Sequence, residues 1–143
     1  MTYRILAINP GSTSTKVGVY QDTEEIYSET IAHRAEDLAR HSSIQAQFTF
    51  RLDWIKRCLA SHNIELGELN AVVARGGLLR PLVGGTYRVN DRMLEDLFAA
   101  RYGQHASNLG AIMANSIARE FSIPAFIVDP VVVDELEPIA RIT

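Results

Sequence analysis

Residues 3–31, YRILAINPGSTSTKVGVYQDTEEIYSETI, decide the fold. Residues 3–8 form a short apolar run that ends at a turn, which predicts a central strand. Residues 15–20 alternate between polar and apolar side chains, and residues 25–31 follow the polar turn 21–23, so two more strands are expected. Together the three segments predict an antiparallel meander.

The rest of the chain alternates between helical and strand-like patterns. Apolar residues recur every three or four positions over residues 44–63, which predicts a helix, and Ser42 and Gln45 have the spacing of a capping box. Residues 71–74 and 125–128 are short apolar runs and predict buried strands. The sequence therefore predicts one α/β domain, a meander followed by alternating helices and strands.

Two further helices are predicted between these strands. Asn90 or Asp91 can cap the first, and the second begins near Ser107 or Asn108 and ends before Pro124. The side chains expected to point into the core are those of Leu94, Leu97 and Phe98 in the first helix and Leu109, Ile112, Met113, Ile117 and Phe121 in the second.

Composition narrows the class of protein. The 143 residues are 47% apolar and 22% charged, with a net charge of -3, so the chain has the size of one domain and no broad basic field for nucleic acid. It has no apolar run of the roughly 18 residues that span a bilayer and no signal peptide, so a cytoplasmic protein without a membrane partner is expected. Cys58 is the only cysteine, which excludes an internal disulfide and predicts a small buried hydrophobe on a helix.

The turn between the first two predicted strands, NPGSTSTK at residues 9–16, is suited to holding phosphate. Gly11 lets the backbone approach an anion, the hydroxyl and amide groups can donate hydrogen bonds, and Lys16 adds a positive charge. It is not a Walker A loop, because Thr15 precedes the lysine and a strand follows it. The alternative is an ordinary Ser/Thr-rich hairpin turn.

A second glycine-rich stretch, RGGLLRP at residues 75–81, follows a predicted strand. An arginine in this place, followed by two glycines, can direct its guanidinium at a small anion such as a carboxylate. Alternatively, Arg75 is a surface residue beside a glycine turn. Arg80 can bind the same anion, or it can act only to solvate its loop.

Four segments in this order resemble the butyrate kinases, a family of the acetate kinase group. They are NPGSTSTK, RGGLLRP, HASNLG at residues 105–110 and PAFIVDPVVVDE at residues 124–135. The resemblance covers essentially the whole chain and implies a ribonuclease H-like, actin-like ATPase domain.

The resemblance also implies roles for particular residues. The residues implied to contact the transferred phosphoryl group are Asn9, Gly11, Ser12, Ser14 and Lys16. Arg75, with Gly76 and Gly77 beside it, is implied to bind the substrate carboxylate. His105 is implied to contact phosphate, and Asp129 to position the substrate or, with Asn9, water on the metal. Without the resemblance, His105 is a helix-cap or surface residue and Asp129 forms a turn before Pro130.

The reaction implied is the transfer of a phosphoryl group from ATP, with Mg²⁺, to a short-chain carboxylate such as butyrate. Gly76 and Gly77 stand where acetate kinases have bulky side chains, so we expect room for a longer acyl chain. The family folds as two domains and forms homodimers. Residues 1–143 are expected to be the N-terminal domain, inactive without the nucleotide-binding C-terminal domain. The alternative is a non-catalytic anion-binding or regulatory module derived from such a kinase.

Overall fold

The structure, a computed structural model, describes residues 1–129, and within them six strands form one mixed sheet. The strands are β1 (Arg4–Pro10), β2 (Ser14–Gln21), β3 (Glu24–Ala32), β4 (Ala71–Arg75), β5 (Thr86–Arg88) and β6 (Ala125–Val128). The helices are α1 (Ala35–Ala39), α2 (Phe48–Ser61), α3 (Asp91–Phe98) and α4 (Asn108–Glu120), with 3₁₀ turns at Gln45–Gln47 and Leu66–Glu68. Residues 130–143, which include the end of the segment 124–135, lie outside the described residues.

The sheet has the strand order β3-β2-β1-β4-β6-β5. The predicted meander is confirmed, since β1 pairs antiparallel with β2 and β2 with β3. Strands β1, β4 and β6 run parallel to one another, so their carboxyl ends meet at one edge of the sheet. Polar residues that follow these three strands are thereby brought together.

One face of the sheet carries the main hydrophobic core. Side chains of β1, β2 and β4 on this face, such as Leu6, Val19 and Val72, are fully buried. Helices α2 and α4 supply apolar side chains to the same cluster, among them Ile55 and Ile117. Of the helices within residues 1–129, none is long and apolar enough to cross a membrane.

Helix α4 lies unusually close to the end of β4. A Cβ added at Gly110 would lie 2.8 Å from the carbonyl oxygen of Arg75 and 3.1 Å from Cβ of Ala74. Glycine permits this close contact between helix and strand. The first turn of α4 is consequently held against the edge where the parallel strands end.

The helix boundaries correct two predictions. A 3₁₀ turn precedes α2, and the hydroxyl that accepts a backbone hydrogen bond is that of Ser43, from Ala46 N at 3.2 Å, so the predicted Ser42 capping box is wrong. Asn90 does cap α3, accepting from Met93 N at 2.9 Å.

Phe98, predicted in the core, is 61% exposed. Leu97 takes the core position instead, and the next residue points about 100° away around the helix.

Candidate functional site

A shallow pocket of about 250 Å³ lies at the carboxyl ends of β1, β4 and β6. We call it the edge pocket, and the residues that line it are Asn9, Val73, Ala74, Arg75, Val128 and Asp129. Three residues with predicted site roles, Asn9, Arg75 and Asp129, therefore lie around one opening. They are far apart in the sequence, and the parallel pairing of the strands brings them together.

Strand register puts Lys16 beside this group. Lys16 is the direct cross-strand partner of Asn9, and partners in an antiparallel pair present their side chains on the same face. The parallel register that pairs Ile8 with Ala74 places Arg75 next to Asn9 along the edge. All three side chains are exposed, so an amide and two cations share one face.

Neither cation is paired with a carboxylate within the described part of the chain. In residues 1–129, neither the Arg75 guanidinium nor the Lys16 ammonium makes an ion pair or a hydrogen bond. Exposed cations on one edge attract an anion, and an arginine fork matches the geometry of a carboxylate or phosphate. The edge can therefore bind a small anion.

The buried side chain of Arg51 supports the turn 9–16 through hydrogen bonds. This residue was not identified from the sequence. The side chain is fully buried in α2, and its Nη1 donates to the carbonyl oxygens of Gly11 at 2.7 Å and Ser14 at 3.1 Å. Further bonds reach Ser12 O at 3.2 Å and, from Nε, Gln47 Oε1 at 3.0 Å. Burial lowers the pKa of the Arg51 guanidinium. Its position on the apolar face of the predicted helix was the available signal, since a buried cation needs partners.

His33 joins the end of β3 to the same turn. Its Nε2 lies 2.8 Å from Thr15 Oγ1, which also accepts from Arg51 Nη1 at 3.2 Å. The backbone N–H of His33 donates to Thr13 O at 2.9 Å. Burial, and next the Arg51 charge, lower the pKa of His33, so the ring is favoured in its neutral form. The turn is thus fixed by groups that do not face the edge pocket.

The observed turn does not require the backbone freedom that glycine gives at position 11. Gly11 N donates to Ser14 O at 2.7 Å, which closes the turn. The φ of Gly11 lies outside the left-handed region, and an added Cβ would meet Ser14 O at 3.5 Å, an ordinary contact. Ser12 is exposed and Ser14 half-buried, so the Ser12 side chain remains accessible to a ligand.

Gly77 is closely packed against neighbouring residues, which corrects the expectation of open volume at this position. A Cβ at Gly77 would lie 2.7 Å from both Cα and Oδ1 of Asn108 and 2.8 Å from Cδ2 of Leu97. The expectation that Gly77 leaves open volume for an acyl chain is therefore wrong. Gly76 is also buried, and its N–H donates to Val128 O at 3.1 Å.

Asn108 connects this glycine loop to the segment before α4. Its Oδ1 accepts from Leu78 N at 2.8 Å, and its Nδ2 donates to Gly103 O at 2.9 Å. The side chain is fully buried. The loop after Arg75 and the loop containing His105 are thereby held in a fixed relation.

His105 is exposed and is not among the residues that line the edge pocket. Its Nδ1 accepts from Ser107 N at 3.0 Å and lies 2.6 Å from Ser107 Oγ. The neutral ring therefore carries its proton on Nε2, which can donate to an anion. The same contacts agree with the helix-cap alternative.

Asp129 connects the end of β6 to the start of β5. Its Oδ1 accepts from Gly85 N at 3.1 Å, and its own N–H donates to Gly85 O at 3.0 Å. Asp129 has a φ of 44°, a conformation that Asp and Asn tolerate better than most residues. These contacts are those of a turn-forming aspartate that also borders the edge pocket.

Two substitutions separate the structural role of Asp129 from its charge. Asp129→Ala loses the side-chain hydrogen bond from Gly85 N and puts alanine at positive φ, so we expect the free energy of unfolding to fall by about 1–2 kcal/mol. Asp129→Asn keeps an oxygen acceptor, so we expect it to change by less than about 0.5 kcal/mol. Urea denaturation checks both, and equal losses for the two variants would contradict this account.

The donor atoms at this edge suit a hard cation. Asn9 offers an amide oxygen and Asp129 a carboxylate, the ligand types that Mg²⁺ takes through one or two protein groups and several waters. Both residues are exposed and border the same pocket. The residues present therefore fit a magnesium ion that arrives with phosphate.

Comparison with solved structures shows the fold. Acetate kinase from Porphyromonas gingivalis matches with a TM-score of 0.52 at 11% identity, over 88% of this chain and 37% of that one. YeaZ from Pseudomonas aeruginosa matches with a TM-score of 0.50 at 11% identity, over 89% of this chain and 44% of that one. The predicted ribonuclease H-like, actin-like fold is confirmed.

Comparison with curated proteins shows the relationship, although no protein-family model matches the chain. Butyrate kinase 1 of Clostridium acetobutylicum is 57% identical over 141 residues, which are 99% of this chain and 40% of that protein. A probable butyrate kinase of Listeria monocytogenes is 51% identical over 143 residues, all of this chain and 40% of that protein. The chain is a homologue of the butyrate kinases that spans 40% of the length of these relatives.

Proposed function

We propose that this chain supplies the carboxylate-binding side of a kinase that transfers a phosphoryl group from ATP to a short-chain carboxylate such as butyrate. The observation that carries the proposal is the exposed, unpaired Arg75 beside Asn9 and Asp129 at the edge pocket, in a homologue of the butyrate kinases. Arg75 binds the carboxylate through charge-assisted hydrogen bonds.

In this reaction the carboxylate oxygen is the nucleophile. It forms a bond to the γ-phosphorus of ATP, the bond from that phosphorus to the bridging oxygen breaks, and ADP leaves. A short-chain acid is already ionised near neutral pH, so no general base is needed. Lys16 and Nε2–H of His105 contribute positive charge and a hydrogen-bond donor for the phosphoryl oxygens. Mg²⁺, held through Asn9 and Asp129, would neutralise phosphate charge.

The nucleotide is proposed to bind mainly to sequence beyond the 40% of the relatives that this chain spans. The edge pocket is shallow and open, so the described residues do not exclude water from the reacting groups. Alignment of the two substrates supplies several kcal/mol of the barrier reduction in such reactions. We therefore expect no acyl phosphate formation by the 143-residue chain alone.

The test joins this chain to the rest of a relative. The chain replaces the matching segment of butyrate kinase 1 of Clostridium acetobutylicum, and acyl phosphate is trapped with hydroxylamine. We expect activity with ATP and butyrate in the chimaera and none in the chain alone. An inactive but folded chimaera would contradict the proposal, and activity in the chain alone would contradict the assignment of the nucleotide site.

Arg75 is tested in the active chimaera. Arg75→Ala is expected to lower kcat/KM for butyrate about 10- to 100-fold, which corresponds to the loss of a charged hydrogen bond. Arg75→Lys keeps the charge without the fork and should recover only part of the loss. Arg40→Ala, another exposed arginine, is the control, and an equal loss there would remove Arg75 from this role.

The second candidate is an anion-binding module without catalysis, and the unpaired Arg75 and Lys16 favour it as well. Such a module would need only the anion-binding residues at the edge of the sheet. Calorimetric binding of butyrate or phosphate by the chain, combined with an inactive chimaera, would support this alternative. Tight binding that is lost in Arg75→Ala would then locate the anion.

A further inference from the structure

A second group of reactive side chains lies outside the edge pocket, between β3 and the end of α2. It consists of Glu29, Cys58 and His62, and one ligand atom from each lies within 4.8 Å of the other two. Cys58 lies in the last turn of α2 and His62 follows the helix directly, four residues later, so the two residues lie on the same side of the helix end. Glu29 projects from β3 toward them.

His62 is oriented for metal binding. Its Nδ1 lies 2.9 Å from the carbonyl oxygen of Cys58, and a carbonyl can only accept a hydrogen bond. Nδ1 therefore carries the proton in the neutral ring, and Nε2 keeps a lone pair for a metal. A backbone carbonyl that fixes the tautomer is the usual second partner of a metal-binding histidine.

Tyr27 supports the other two groups. Its hydroxyl donates to Glu29 Oε2 at 2.7 Å and lies 2.8 Å from Cys58 Sγ. Its ring stacks on the His62 ring with centroids 4.5 Å apart. The Cys58 thiol also hydrogen-bonds to the Glu29 carboxylate. One tyrosine therefore contacts all three candidate ligands and limits how they can turn.

The group is open to solvent on one side. A pocket of about 430 Å³ is bordered by Glu29, Cys58 and His62, among others. Glu29 and His62 are exposed, whereas Cys58 is buried. An ion can therefore reach all three side chains from this pocket, with a fourth position left for water.

We propose that Glu29, Cys58 and His62 form a binding site for a divalent metal of the zinc type. Thiolate, imidazole and carboxylate together are typical zinc ligands, at about 2.3, 2.0–2.1 and 2.0–2.2 Å from the ion. Tetrahedral ligands at such distances lie roughly 3.5 Å from one another, so the hydrogen-bonded Cys58 and Glu29 move apart on binding and the ion takes the place of the proton between them. The thiol loses its proton to solvent as the sulfur–metal bond forms. The sulfur disfavours Mg²⁺ and Ca²⁺.

The experiment titrates the 143-residue chain with Co²⁺, a spectroscopic substitute for Zn²⁺. We expect one ion per chain, the visible bands of tetrahedral cobalt, a sulfur-to-cobalt charge-transfer band in the near ultraviolet, and displacement by one equivalent of Zn²⁺. Cys58→Ser should abolish the charge-transfer band, and His62→Ala should weaken binding at least tenfold. His41→Ala, a histidine outside the group, is the matched control and should bind as the unchanged chain does.

Tyr27→Phe tests the supporting contacts, because it removes the hydroxyl and keeps the stacked ring. We expect Co²⁺ binding to weaken about 10- to 100-fold with the charge-transfer band retained. Circular dichroism establishes that each variant is folded. If Cys58→Ser does not fold, the exposed His62→Ala decides the question. No cobalt bands at millimolar Co²⁺, or binding unaffected by both substitutions, would overturn the proposal.

Discussion

Replacing Arg51 with alanine is expected to lower the free energy of unfolding by about 4 kcal/mol, the range seen when one partner of a buried charged network is removed. The carbonyl oxygens of Gly11, Ser12 and Ser14 would lose the donor that now satisfies them. For a chain of this length we expect the melting temperature to fall by roughly 10–20 °C. Calorimetry or circular dichroism measures the shift.

Two further variants test whether the loss of stability in Arg51→Ala comes from the hydrogen bonds of the guanidinium. Arg57→Ala removes an exposed arginine from the same helix and should change the free energy of unfolding by less than about 0.5 kcal/mol. Arg51→Lys keeps a cation but not the five-donor fork, so it should recover only a minor part of the stability. Amide exchange at Gly11, which bonds to Ser14 O, should accelerate in Arg51→Ala. A loss below about 1 kcal/mol in Arg51→Ala would contradict the proposed support of the turn.

Replacing Gly77 with alanine is expected to lower the free energy of unfolding by about 2–3 kcal/mol. The added methyl would lie 2.7 Å from Cα of Asn108, a backbone atom that cannot turn aside. Relief requires α4 and the loop after β4 to separate, which lengthens the hydrogen bond from Leu78 N to Asn108 Oδ1, now 2.8 Å. Urea denaturation measures the loss.

Gly67→Ala is the matched control for this prediction. A Cβ at Gly67 would meet Phe121 Cε1 at 3.9 Å, an ordinary contact, so the variant should be neutral or slightly stabilising. The double variant Gly77→Ala, Leu97→Ala shows whether the flexible neighbour or the backbone dominates. Leu97 is fully buried, so the double variant is compared with Leu97→Ala alone. If Gly77→Ala cost nothing in the Leu97→Ala background, the contact with Asn108 would not be the cause.

Periodicity made most of the fold predictable. The alternation at Val17 and Val19 and the short apolar runs of β4 and β6 gave the strands their approximate limits. Strand β5 and helix α1 were missed because three and five residues are too few to show a period. Phe98 was misplaced because periodicity does not fix which of two adjacent apolar residues faces the core.

The candidate site was only partly predictable. Asn9 and Arg75 were indicated by the motifs that follow predicted strands, and Asp129 by the resemblance to the butyrate kinases, yet only the observed strand order brings the three to one pocket. The position of Arg51 on the apolar face of the predicted helix indicated a buried cation, but its partners could not be predicted because they are carbonyl oxygens about 40 residues away. Gly77 was misjudged because an absent side chain was taken for empty space.

The position of β1 in the middle of the sheet affects how the chain is made on the ribosome. One side of β1 pairs with β2 as soon as the first hairpin emerges, but the other waits for β4, as the bond from Arg4 N to Asn70 Oδ1, 66 residues away, illustrates. At about 5–20 residues per second this wait lasts about 3–13 s. During these seconds the nascent chain exposes an unpaired edge of β1 that another copy can bind, and this hazard ends when β4 pairs with β1 in the finished sheet.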